Sequence, residues 1–225
     1  MQMTPASRHL RRLVLVRHGR TEWNRIGRAQ GHADVSLDSL GRAQAQRAAE
    51  ALATYRPSFV WSSDLARARE TAEPIAAATG RSVLFDKRLR EYDVGVRQGL
   101  TFAEFEERFP ELFADLTANR QVTVPGAEVD DEVAHRMVAV LSEAVGALGP
   151  QDTGVVVGHG ASLRTGLLAF FGVPAELREM IAGMGNCAWT VLEEHQHRGW
   201  QIMVYNAETM PEPLNLADDL ASSGG

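Results

Sequence analysis

Residues 13 to 21 read Leu13-Val14-Leu15-Val16-Arg17-His18-Gly19-Arg20-Thr21, an apolar run that stops abruptly at a cation, an imidazole and a glycine. The chain repeats the device far downstream, where Val155-Val156-Val157-Gly158 runs directly into His159-Gly160. Short β-branched runs without polar alternation are the pattern of strands covered on both faces. In open α/β sheets ligands bind beyond the carboxyl ends of parallel strands, so two such endings from distant parts of a chain can meet in one crevice. An arginine and two histidines at that place point to chemistry on an anion.

Strands are expected at 12–17, 59–62, 82–85 and 154–158, alternating with helices. A helix over 39–54 follows Asp38 as N-cap, and one over 64–79 follows Ser63 and closes at Gly80, a residue type favoured just past a helix end. Pro74 should kink the second of these. Thr101-Phe102-Ala103-Glu104 fits a capping box and opens a helix that should stop near Pro110. Further helices are expected at 130–148 and 161–171, and residues 188–193 and 200–206 read as a hairpin. The fold class is α/β, a three-layer α/β/α sandwich on a mostly parallel sheet with a C-terminal hairpin. Residues 1–11 read as a flexible arm, 12–206 as a single domain and 207–225 as a flexible polar tail.

With 23 Lys and Arg against 29 Asp and Glu, the net charge of −6 argues against a general nucleic-acid binder. Any phosphate site must therefore be a local cationic pocket. The apolar run after Arg11 and Arg12 lasts only four residues before Arg17, too short for a secretory signal, and Gly166–Val173 is too short to cross a bilayer. No membrane partner is expected. Cys187 is the only cysteine, so an intramolecular disulfide is impossible and the expected location is the cytoplasm.

The motifs continue along the chain as Thr21-Glu22-Trp23-Asn24, Ser62-Ser63-Asp64-Leu65-Ala66-Arg67-Ala68, and Leu89-Arg90-Glu91 with Gly95 and Gly99 behind it. Together with Arg17-His18-Gly19 and Gly158-His159-Gly160, and in this order, they resemble the histidine phosphatase superfamily, the phosphoglycerate mutase-like proteins, from about Leu13 to Tyr205. The resemblance implies a phosphomonoester hydrolase that works through a phosphohistidine on a small phosphorylated metabolite. It also implies a homodimer. Within the family, Gly183–Thr190 and Asn206-Ala207 are similar to glucosyl-3-phosphoglycerate phosphatases.

Carried onto these positions, the resemblance makes His18 the nucleophile, for which neutral imidazole is suited at physiological pH. Arg17 and Arg67 grip the phosphoryl oxygens, a task that fits a planar fork that keeps its charge. Catalytic His159 and the amide of Gly160 donate to phosphate at the positive end of a helix, and His159 also orients His18. Asn24 is a further phosphate donor. Glu91 is the general acid, then the base for the hydrolytic water, a role that contributes ~10²–10⁴-fold.

Three departures from the family pattern bear on substrate choice. Arg20 stands where glutamate or glutamine is usual, and Arg97-Gln98 replaces a common tryptophan and glutamate before Gly99. Arg20 and Arg97 are thus candidate specificity residues near the pocket mouth. No metal and no cofactor are expected: His195 and His197 lack a carboxylate or cysteine at ligand spacing. Met180, Met184 and Met203 read as core fillers.

Two rival functions remain. A phosphoglycerate mutase uses the same residues but must shield phosphohistidine from water, and the short stretch from Gly99 to Pro125 argues for hydrolysis instead. A silent phospholigand-binding module requires the nucleophile or acid to be missing.

Overall fold

The computed structural model describes residues 10–118, 122–174, 177 and 180–209. Most of the two expected arms, residues 1–9 and 210–225, lies outside the described residues. Six strands make one sheet: β1 (Arg12–Arg17), β2 (Phe59–Ser62), β3 (Val83–Phe85), β4 (Thr153–Gly158), β5 (Trp189–His195) and β6 (Gly199–Ala207). Their order is β3-β2-β4-β1-β5-β6. The first four run parallel, and the β5–β6 hairpin joins β1 antiparallel.

The helices are α1 (Glu22–Arg25), α2 (Ser39–Ala53), α3 (Ala66–Thr79), α4 (Phe102–Arg108), α5 (Pro110–Thr117), α6 (Asp130–Gly146) and α7 (Gly160–Phe170). Alternation along β1 sorts them into two layers, because successive side chains point to opposite faces of a sheet. Val14 and Val16 pack with Ala48, Leu52, Ala72 and Ile75 of α2 and α3. Leu13 and Leu15 pack with Met137, Leu141, Leu163 and Leu167 of α6 and α7. Each such fully buried aliphatic side chain is worth roughly 1.5–3 kcal/mol relative to exposure. The result is the three-layer sandwich expected, with β1 and β4 at its centre.

Register then positions the chemistry. Arg17 pairs with Gly158, so the next residues, His18 and His159, emerge side by side from the ends of two central strands. Ser62 pairs with Val157, which brings Ser63 to the same edge. The α2 start is as read, with Asp38 accepting from Gly41 N at 2.7 Å, and Gly80 stops α3 in the left-handed conformation.

Two local expectations need correction. The α3 helix begins at Ala66 rather than residue 64, and Ser63 does not cap it. The Ser63 hydroxyl is taken by His159, while Asp34 from a neighbouring loop accepts from Ala66 N at 2.5 Å. The α4 helix stops before Pro110 as expected, and Pro110 then opens α5 as its first residue, where a missing N–H costs nothing. Of the three methionines read as core, only Met184 is buried, whereas Met180 is 75% and Met203 55% exposed.

Candidate active site

Beyond the carboxyl ends of β1 and β4 opens a cleft of about 840 Å³, counted out to its mouth. Arg17, His18, Asn24, Arg67, Glu91 and Gly160 line it. Six of the seven residues read as catalytic or phosphate-binding thus share one cavity, although they span more than half the chain.

His18 is buried, and its Nδ1–H donates to the carbonyl of Gly19 at 2.7 Å. A carbonyl accepts only, so this bond fixes the tautomer and leaves the lone pair on Nε2. Burial pushes the His18 pKa well below the usual histidine value, and the charges of Arg67 and Arg17 push it further. The ring is therefore neutral at physiological pH, the form a nucleophile needs.

His159 sits behind this ring rather than on the cavity wall. It is fully buried, with its Nδ1 accepting from Arg67 Nε at 3.1 Å and its Nε2–H donating to Ser63 Oγ at 2.9 Å. Its ring meets His18 edge to face, 5.1 Å between centroids. Burial, Arg67 and His18 hold its pKa well below the ordinary value, so it too is neutral. It touches the cleft through Arg67 and His18.

Arg67 is the largest fully buried side chain. Its two terminal nitrogens donate to the carbonyls of Gly31 and Ala33, both at 2.8 Å. It stands at the second position of α3, where a cation opposes the helix dipole, and those carbonyls offset the cost. Arg17 is tethered by Nη1 to the carbonyl of Met184 at 2.5 Å. A Cβ added at Gly160 would lie 3.3–3.4 Å from the Arg17 guanidinium, so glycine there lets the arginine press against the start of α7.

Asn24 belongs to α1 and lines the cleft at once. Its Oδ1 accepts from Thr21 N and from Thr21 Oγ1, each at 3.1 Å, which turns the Nδ2 end into the donor end. Glu91 lines the same cleft as His18, with its carboxylate against the first turn of α7. There Ala161 N, at 3.1 Å, and Ser162 N, at 2.8 Å, donate to it, as does Tyr92 N at 3.0 Å. The segment carrying it is held by Arg136, whose guanidinium donates to the carbonyls of Arg88, Arg90 and Glu91 and to the carboxylate of Glu128. His32 Nε2–H donates to the Glu91 carbonyl at 2.8 Å.

The two candidate specificity arginines part company. Arg20 does not line the cleft; its Nε bonds Asp38 Oδ2 at 2.8 Å beside the start of α2, which corrects its expected place at the mouth. Arg97 does line the cleft and is only 7% exposed, against the rings of Phe102 and Phe105. Sequence reading missed Arg164, Arg28 and Gln30 in the walls, and Arg136 behind them. Nothing in their local sequence marks them, because the fold alone brings them there. Among the described residues no group of three or more His, Cys, Asp or Glu side chains is arranged to hold a metal ion.

Residues 13–208 match the family model of the histidine phosphatase superfamily (branch 1). The chain is 35% identical over 214 residues to glucosyl-3-phosphoglycerate phosphatase of Mycolicibacterium vanbaalenii, covering 88% of this chain and 95% of that protein. It is 34% identical to the probable phosphoglycerate mutase GpmB of Proteus mirabilis, covering 92% and 95% respectively. Among solved structures, a mycobacterial glucosyl-3-phosphoglycerate phosphatase in complex with VO3 superposes with a TM-score of 0.79 at 37% identity, covering 88% of this chain and all of that one. By fold, cleft and sequence together, the chain belongs to the histidine phosphatase superfamily and is a phosphomonoester hydrolase.

Proposed function

We propose that the enzyme hydrolyses glucosyl-3-phosphoglycerate through a phosphohistidine at His18 Nε2. The observation that carries the chemistry is the His18–Gly19 hydrogen bond, which leaves an Nε2 lone pair in a cleft walled by arginines. The substrate follows the names of the glucosyl-3-phosphoglycerate phosphatases this chain is similar to, and the match extends over nearly their whole length.

Arg17, Arg67, the Asn24 amide and the backbone N–H of Gly160 hold the phosphoryl oxygens and spread their charge, which is most of what a loose phosphoryl transition state requires. His18 Nε2 forms a bond to phosphorus as the ester P–O bond breaks. The departing alkoxide takes a proton from Glu91. Glu91 then removes a proton from water, the water oxygen attacks phosphorus, and the P–N bond breaks to return neutral His18 and inorganic phosphate. His159 acts by holding Arg67 and by packing against the attacking ring.

The enzyme is further read as one domain over 12–206, metal-independent, cytoplasmic and homodimeric. The arginine-lined cleft supports charge stabilisation without a metal. The lone Cys187 supports a reducing compartment. Exposed Ile202, Met203 and Val204 on the edge strand β6 support pairing of two copies.

A turnover screen tests the reading. Phosphate release from glucosyl-3-phosphoglycerate should exceed that from other phosphorylated metabolites and persist in chelator, while phosphoglycerate mutase activity measured in parallel should be minor. Dominant mutase activity, or loss of turnover on chelation, contradicts it.

A further inference from the structure

Arg97 presents an electrostatic problem that the hydrolytic residues do not solve. It closes the short turn Gly95–Arg97 and points its guanidinium into the cleft, where it is 7% exposed. Its Cζ lies 5.8 Å from the centroid of Phe102 and 5.5 Å from that of Phe105, two rings one helical turn apart on α4. Among the described residues its guanidinium has neither hydrogen bond nor ion pair, and burial alone shifts its pKa, downwards.

Three other wall arginines are anchored. Arg28 bonds Glu104 at 2.9 Å as well as the carbonyl of Gly99. Arg67 bonds two carbonyls and His159, and Arg17 bonds Met184. Aromatic faces attract a cation, yet less than desolvation of a full charge costs. A buried guanidinium held only by two rings is thus poised for an anion that enters with the ligand.

That anion is not the phosphoryl group, which already has its own set of donors around His18. We propose that Arg97 receives a carboxylate carried by the same substrate, so that the enzyme selects phosphate esters of hydroxycarboxylates. The inference rests on the phosphatase reading of the cleft. A carboxylate matches a single guanidinium in charge and in planar, two-point geometry, whereas a second phosphate dianion calls for more than one cation. The apolar walls at Val94, Leu100, Phe102 and Phe105 keep water from screening the pair.

Two substrates isolate the effect: 3-phosphoglycerate, and glycerol 3-phosphate, which carries a hydroxymethyl group in place of the carboxylate. The wild-type enzyme should prefer the first. Arg97→Gln should lower kcat/KM for 3-phosphoglycerate about 30-fold more than for glycerol 3-phosphate, with most of the difference in KM, as expected when one partner of a desolvated charge pair is removed. Arg97→Lys should keep part of the preference, because it retains charge and loses the fork. The unliganded Arg97→Gln protein should melt no lower than wild type, since it loses an uncompensated buried charge rather than a structural bond.

Equal losses on both substrates, or a lower melting temperature without ligand, make Arg97 a structural residue and overturn the inference. So does a bisphosphate ester whose turnover depends on Arg97 more strongly than that of 3-phosphoglycerate. If the wild type hydrolyses none of these esters and also leaves p-nitrophenyl phosphate intact, the phosphatase reading falls, and the inference with it.

Discussion

The rings of His18 and His159 meet edge to face, with centroids 5.1 Å apart and planes at 61°, at the ends of two paired parallel strands. Both are buried, and burial followed by neighbouring arginine charge holds both neutral well below the usual histidine pKa. An unfolded chain takes up protons at these positions below a pKa of about 6.5. Because the folded protein does not, stability is complete above that value and falls as the pH drops through it. The fold should therefore lose stability between pH 7 and pH 5.5. Urea unfolding across that range measures the loss, and His18→Asn should halve it; a flat profile contradicts two buried neutral histidines.

Glu91 accepts from Ala161 N and Ser162 N and lines the same cleft as the nucleophile. As the proton donor it matters most for poor leaving groups. Glu91→Gln should therefore slow alkyl phosphates on the order of 10²-fold or more, and aryl phosphates far less, since a phenolate scarcely needs a proton. Equal losses on both classes would make Glu91 a positioning residue only.

Arg136 reaches the carbonyls of Arg88, Arg90 and Glu91 and both carboxylate oxygens of Glu128. Arg136→Ala should destabilise the protein by roughly 2–4 kcal/mol, because it leaves a partly buried carboxylate and several acceptors without their donor. Below the melting temperature its kcat on alkyl phosphates should fall with that of the Glu91→Gln variant, while aryl phosphate turnover is better preserved. Chemical denaturation and steady-state kinetics on the two ester classes check both halves.

The sheet and both His-Gly endings were legible because buried parallel strands are written as short unbroken apolar runs, and because Asp38 and Gly80 mark helix ends by local chemistry. Pro110 marks the end of α4 as read and also opens α5, which the sequence does not announce, since proline serves equally at a helix stop and at a first helical position. Ser63 looked like a cap, but its hydroxyl is claimed by a histidine 96 residues away. Arg20 and Arg97 read alike as cations near a pocket, yet one is paired with Asp38 and the other buried over two phenylalanines. Such differences depend on long-range packing, as do the amides that hold Glu91. Local sequence carries no sign of either.

The central claim is that His18 Nε2 becomes covalently phosphorylated. Rapid acid quench of the enzyme with an aryl phosphate, followed by proteolysis under mildly alkaline conditions and mass spectrometry, tests it most directly. The account predicts a phosphate on the peptide containing His18, labile to acid and stable to alkali, absent from His18→Ala and accumulating when Glu91→Gln slows its hydrolysis. Full turnover by His18→Ala, or a phosphate found on any other residue, would contradict it.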